Sequence, residues 1–117
     1  MKKYFFLAAS VTIVIVFSNC HSARKSTTEN AVPKMTYETN IQSLVVNNCT
    51  PCHFPARGGN KKPLDTYDGV KANIDDMIHR IELNPTDKGF MPFKHAKLSD
   101  STIAVFKQWR DDGMIAR

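Results

Sequence analysis

The stretch Cys49-Thr50-Pro51-Cys52-His53 restricts the fold more than any other part of this 117-residue chain. Two thiols three positions apart, with an imidazole directly after the second, form the attachment pattern of a c-type haem. Each thiol can bond one vinyl group of the porphyrin. The histidine is then carried under the ring, where it can ligate iron. A chain built this way needs an export route, a second axial ligand and enough apolar surface to wrap a porphyrin.

Three other readings use the same residues. A zinc site requires four ligands. Only one further cysteine exists, Cys20, and His79 and His95 lie at separations unlike any usual finger. A thioredoxin-like redox pair requires a strand leading into a helix, and no segment here reads clearly as a strand. A disulfide between Cys49 and Cys52 closes a short, strained loop and stabilises little.

The first residues supply the export route. Met1-Lys2-Lys3 is basic, and residues 4–17 are apolar and uncharged. That run has the length of the apolar region of a secretory signal and is short for a membrane span; the alternative is an uncleaved anchor helix. Phe17-Ser18-Asn19-Cys20 resembles a bacterial lipobox, in which the cysteine is lipidated and becomes the first residue of the mature chain. The alternative for Cys20 is an unmodified thiol, which outside the cytoplasm would be reactive. The chain therefore divides into a lipoprotein-type signal peptide, 1–19, a lipidated Cys20 with a flexible tether, 20–35, and a domain, 36–117. The expected location is the bacterial periplasm or cell surface, anchored to a membrane through Cys20. A coil of fifteen residues, 21–35, reaches about 20 Å on average. Without Lys2 and Lys3, fourteen basic residues remain against eleven acidic, a net charge of about +3, before haem propionates reduce it. So mild a charge gives no basis for nucleic-acid binding.

Apolar periodicity places three helices in the domain. Thr36 caps a helix over 37–48, with Ile41, Leu44 and Val45 on one face. Asn47-Asn48 ends it and leads into Cys49. Pro55, Gly58, Gly59 and Pro63 make residues 54–63 a loop. A carbonyl in that loop, most naturally that of Pro63, is the expected acceptor for the second ring N–H of His53; the alternative is that Pro63 only stiffens the loop. Asp65 or Thr66 caps a second helix whose stripe is Val70, Ile74, Met77, Ile78 and Ile81, with Asn84-Pro85 as its stop. His79 falls off the stripe and faces solvent. A second loop, 86–97, contains Gly89-Phe90-Met91-Pro92-Phe93. Ser99 or Asp100 caps the last helix, which carries Ile103, Val105, Phe106 and Trp109 and ends at Gly113. Asp111 and Asp112 sit badly with its dipole.

Four methionines follow the signal. Met35 lies in the tether, Met77 is needed for the stripe, and Met114 stands at the frayed end. Met91 follows His53 by 38 residues, in an extended loop. Gly89 supplies a turn before it, and Pro92 biases it toward an extended backbone, so its side chain can project onto iron. Met91 is the expected sixth ligand; the alternatives are a methionine that fills a gap and His95 as the ligand of a bis-histidine haem.

These pieces together resemble a class I monohaem cytochrome c, most closely the small periplasmic cytochrome-c-like domains of environmental bacteria. The matching features are the Tyr37, Ile41, Leu44 helix running into Cys-Thr-Pro-Cys-His, the Pro63-Leu64-Asp65-x-Tyr67 entry to the second helix, and Met91-Pro92. The ending, Lys97-Leu98-Ser99-Asp100 through Ile103, Phe106 and Trp109 to Asp112-Gly113, matches as well. The likeness covers roughly residues 36–115 and departs at Phe54, where glycine is frequent. It implies an all-α cytochrome c fold of three to four helices packed around one covalent haem c. The first and last helices would cross beside the haem, with Cys49 and Cys52 as thioether sites, His53 proximal and Met91 distal.

A haem iron with both axial positions filled has no open site for a substrate. The expected function is one-electron transfer in an extracytoplasmic respiratory or redox chain, without enzymatic activity and without a small-molecule substrate. The alternative is a haem-based ligand sensor or small peroxidase with a displaceable sixth ligand. Arg57, Lys61, Lys62, Lys88, Lys94 and Lys97 all fall in the two ligand loops and suggest a basic docking surface for an acidic redox partner; the alternative is ordinary solubilising lysines. About 80 residues form a small core that often needs a staple, so the apo-chain is expected to be largely unfolded.

Overall fold

The computed structural model describes residues 32–117. The signal segment, Cys20 and the tether as far as residue 31 lie outside the described residues. Three α-helices and no strand occur among the described residues, and none of those helices is long and apolar enough to cross a membrane.

The first helical segment opens as a π-helical turn, Tyr37–Ile41, and continues as α1, Gln42–Cys49. Thr36 caps it: its hydroxyl accepts the Thr39 N–H at 3.3 Å, and its own N–H donates to Asn40 Oδ1 at 2.9 Å. The wide first turn adds one residue to the register. Tyr37, Ile41 and Val45 are then all buried, while Leu44 is half-buried. The helix does not stop at Asn48. The Asn48 side-chain amide donates to the Leu44 carbonyl at 2.7 Å, and the helix runs one residue further, to Cys49.

Helix α2, Tyr67–Glu82, is capped by Thr66, whose hydroxyl accepts the Gly69 N–H at 3.1 Å. Its stripe is the expected one: Val70, Ile74, Met77, Ile78 and Ile81 are buried, and His79 is exposed. It ends at Glu82, ahead of Asn84-Pro85. Asn84 starts the next turn instead, its N–H and side-chain amide both donating to Asp87 Oδ2, at 2.8 and 3.0 Å.

Helix α3, Asp100–Asp111, is capped by Ser99 and buries Ile103, Phe106 and Trp109. Val105 lies half-buried at the edge of that stripe. Gly113, at φ +93°, turns the chain out of the helix. α3 packs against both α2 and the π-helical turn. At the junction Tyr37, Tyr67 and Trp109 form an aromatic triad with ring centroids 5.6–6.3 Å apart. Such pairs contribute about 0.5–1.5 kcal/mol beyond their buried area.

The chain end is not frayed at Met114. The Met114 carbonyl accepts the Tyr67 hydroxyl at 2.8 Å, and the Trp109 indole N–H donates to the Ile115 carbonyl at 2.9 Å. Residues 36–38 run parallel to residues 115–116: Tyr37 N–H donates to Ile115 and Glu38 N–H to Ala116. Asp112, unfavourable for the helix dipole, accepts the Met35 N–H at 2.7 Å and the Gln108 amide at 2.8 Å. These two donors hold its carboxyl below the usual range, the Met35 N–H most strongly.

Candidate functional site

The Cys-Thr-Pro-Cys-His segment forms the turn that leaves α1. Cys49 is half-buried at the helix end, and burial pushes its thiol up to about 11. Cys52 is exposed, and neither cysteine is in a disulfide. His53 N–H donates to the Cys49 carbonyl at 3.1 Å and Phe54 N–H to the Pro51 carbonyl at 3.0 Å. The segment is thereby wound into one compact turn.

The following loop folds back over this turn. Lys61 N–H donates to the Cys52 carbonyl at 3.0 Å and Leu64 N–H to the His53 carbonyl at 2.9 Å. Phe54 and Leu64 fasten the loop ends in the core. Phe54 is thus a packing residue, with the Arg57 guanidinium 5.5 Å from its ring centroid. Gly59 lies directly on the turn: a Cβ there would be 2.3 Å from the Pro51 carbonyl oxygen and 2.5 Å from that of Cys52.

His53 Nδ1 lies 2.7 Å from the Lys62 carbonyl oxygen. An oxygen acceptor requires Nδ1 to carry the proton, which leaves the Nε2 lone pair as the donor for a metal. The acceptor is Lys62 and not the expected Pro63. The Pro63 carbonyl lies against the first turn of α2, where a Cβ on Gly69 would approach it to 2.9 Å.

Met91 sits in the irregular segment between α2 and α3, half-buried against the same core that packs Cys49. Its N–H donates to the Arg80 carbonyl at 3.2 Å. Two residues earlier Gly89, at φ +96°, makes the turn, and its carbonyl accepts Arg80 Nη1 at 3.3 Å. His95, the rival ligand, is exposed. Met77 is buried on α2, and Met35 and Met114 pack where the chain enters and leaves the domain.

The two loops are linked through one flank of α2. Arg80 Nε lies 3.0 Å from each Asp76 oxygen, and Lys62 Nζ lies 4.0 Å from Asp76. The Arg80 guanidinium, ahead of Lys62, holds the Asp76 carboxyl below its usual range. Arg57, Lys61, Lys62, Lys88, Lys94 and Lys97 are all exposed. Phe93, 64% exposed, stands among the last three, with Lys94 Nζ 5.3 Å from its ring centroid. Among the described residues no three His, Cys, Asp or Glu side chains converge as a metal cluster.

Sequence reasoning missed Gly59 and the Asp76–Arg80 pair. The i, i+4 spacing of Asp76 and Arg80 signals a pair, but not its hold on the Met91 loop. Compared with protein-family models, with curated proteins and with solved structures, the chain matches none.

Proposed function

We propose that the chain is a one-electron carrier of the class I cytochrome c kind, with one haem c bound to Cys49 and Cys52. His53 and Met91 would ligate its iron. The observation that carries this reading is the state of the Cys-Thr-Pro-Cys-His turn. Both thiols are free, and the imidazole Nδ1 is committed to the Lys62 carbonyl, which leaves the Nε2 lone pair available as a donor. That donor set suits a haem: two sulfurs for thioether bonds, an imidazole of fixed tautomer and a half-buried thioether on a separate loop. A bound haem supplies a one-electron iron couple, and a thioether ligand favours its reduced state relative to a second imidazole.

The protein supplies orientation and shielding. The Lys62 carbonyl fixes the His53 ring, Phe54 and Leu64 anchor the loop that covers it, and the Arg80 contacts hold the Met91 loop. With His53 and Met91 both serving as iron ligands, the group would suit electron transfer and not substrate binding. The exposed cations of the two loops suit an acidic redox partner. The chain would work in the bacterial periplasm or at the cell surface, held to a membrane by a lipid on Cys20.

The test is the mature protein expressed in cells equipped for cytochrome maturation. Haem staining must survive a denaturing gel. The oxidised protein must show the weak far-red methionine–iron band, and that band must resist cyanide and CO. A colourless product, or one whose stain is lost on denaturation, rejects the reading. A stained product without the far-red band rejects Met91 as the ligand.

A further inference from the structure

The last turn of α2 leaves carbonyls without an i+4 partner, and the Met91 loop supplies their donors. The Arg80 carbonyl takes the Met91 N–H at 3.2 Å, and the Glu82 carbonyl takes Lys97 Nζ at 2.7 Å. The Arg80 side chain adds a second hold. Its Nη1 donates to the Gly89 carbonyl at 3.3 Å, two residues before Met91. Its Nε is bound to both oxygens of Asp76 at 3.0 Å, which fixes the direction in which the guanidinium points. Gly89 leaves the room: a Cβ there would stand 3.2 Å from Nη1. Arg80 therefore touches the backbone on both sides of Phe90, once with its side chain and once with its own carbonyl. Asp76 also faces Lys62 Nζ at 4.0 Å, and the Lys62 carbonyl holds His53.

We propose that Arg80, oriented by Asp76, is the positioning residue for the Met91 thioether, and that this pair on α2 couples the Met91 loop to the His53 loop. The inference rests on the ligand assignment above. Arg80 contacts neither haem-bonding cysteine, so loosening it leaves covalent attachment intact. The loop around Met91 then opens more often, and an external ligand competes more successfully for its place. Lysine retains the charge but lacks the planar fork that reaches Asp76 and Gly89 together.

The test compares haem-loaded wild type with Arg80→Leu, Arg80→Lys and Asp76→Asn. Covalent haem is measured first, by pyridine haemochrome and by haem-stained denaturing gel. Imidazole is then titrated against each oxidised protein, and amide exchange is followed over residues 86–97. Covalent haem is expected in all four. The imidazole Kd should fall roughly tenfold in Arg80→Leu, as loss of a charge-assisted hydrogen bond at a partly exposed site implies, and less in Arg80→Lys and Asp76→Asn. Exchange at Met91 should quicken in the same order. An unchanged imidazole Kd in Arg80→Leu, whatever its exchange rate, overturns the proposal and leaves the haem reading standing. A wild-type protein without covalent haem overturns both. If Arg80→Leu does not accumulate, Arg80→Lys takes its place, with the smaller fall in Kd expected and an unchanged Kd overturning the proposal.

Discussion

Replacing Gly59 by alanine isolates the close approach between the covering loop and the Cys-Thr-Pro-Cys-His turn. The new Cβ would lie 2.3 Å from the Pro51 oxygen, 2.5 Å from the Cys52 oxygen and 2.8 Å from the Cys52 carbonyl carbon. All three are backbone atoms, so no side chain can swing aside. Ordinary contact lies near 3.5 Å, and the loop must therefore lift by about 1 Å. Lifting stretches the Lys61 to Cys52 and Gly59 to Phe54 hydrogen bonds, both 3.0 Å in the intact turn. Two such bonds are worth about 1 kcal/mol each, and overpacking adds about 1–3 kcal/mol. The expected loss is about 3–5 kcal/mol from these two terms. Gly58→Ala is the matched control. Gly58 has φ +82° and nothing within 4 Å of its virtual Cβ, so it carries left-handed strain of about 1–2 kcal/mol and no clash. Guanidinium unfolding of the haem-loaded proteins compares them. With a slope of about 3 kcal/mol per molar, Gly59→Ala should lower the midpoint by about 1–1.7 M, two to three times the shift of Gly58→Ala. It should also lower the yield of covalent haem per chain. A Gly59→Ala midpoint equal to or above that of Gly58→Ala would refute the reasoning.

Four further outcomes are expected. Met91→Ala should abolish the far-red band and lower the reduction potential; a band that persists would assign the sixth ligand elsewhere. Tyr67→Phe leaves the Met114 carbonyl without its hydroxyl donor and should cost about 1 kcal/mol, read as a lower melting temperature. Asp112 has its carboxyl held below the ordinary value of about 3.9. Its contribution is therefore complete above that pH and is lost as pH falls through the folded value. Asp112→Asn should be less stable near neutrality, with its pH–melting curve converging on wild type in acid; parallel curves would count against the Met35 contact. The haem-free chain, with so small a core, should show no cooperative melt by circular dichroism, and a sharp transition would contradict that.

Periodicity made most of the fold legible. Every stripe residue of α2 is buried as the 3.6-residue repeat requires, and Thr66 and Ser99 occupy the cap positions that their chemistry favours. The errors fall where one backbone group competes with another. Asn48 looks like a stop, and the helix runs one residue past it, to Cys49. Pro63 looks like the His53 acceptor until its carbonyl is seen against Gly69, one peptide plane beyond Lys62. Asp112, just past α3, opposes the helix dipole, and the Met35 N–H that binds it is 77 residues away. The motif residues Cys49, Cys52 and His53 fall within five positions, and the structure winds that stretch into one turn. The Arg80 hold on Met91 depends on how α2 ends against a distant loop, and no local pattern records that.

The parallel course of residues 36–38 and 115–116 has a mechanical consequence. Tension that draws the two ends of the domain apart slides these segments past each other in shear. The Tyr37–Ile115 and Glu38–Ala116 hydrogen bonds and the Arg117–Glu38 ion pair must then yield together, not one after another as in an unzipping hairpin. The indole of Trp109 and the phenol of Tyr67 brace the sliding segment from inside. Tension applied between the two ends of the domain should therefore meet this lock before it reaches the helices behind it.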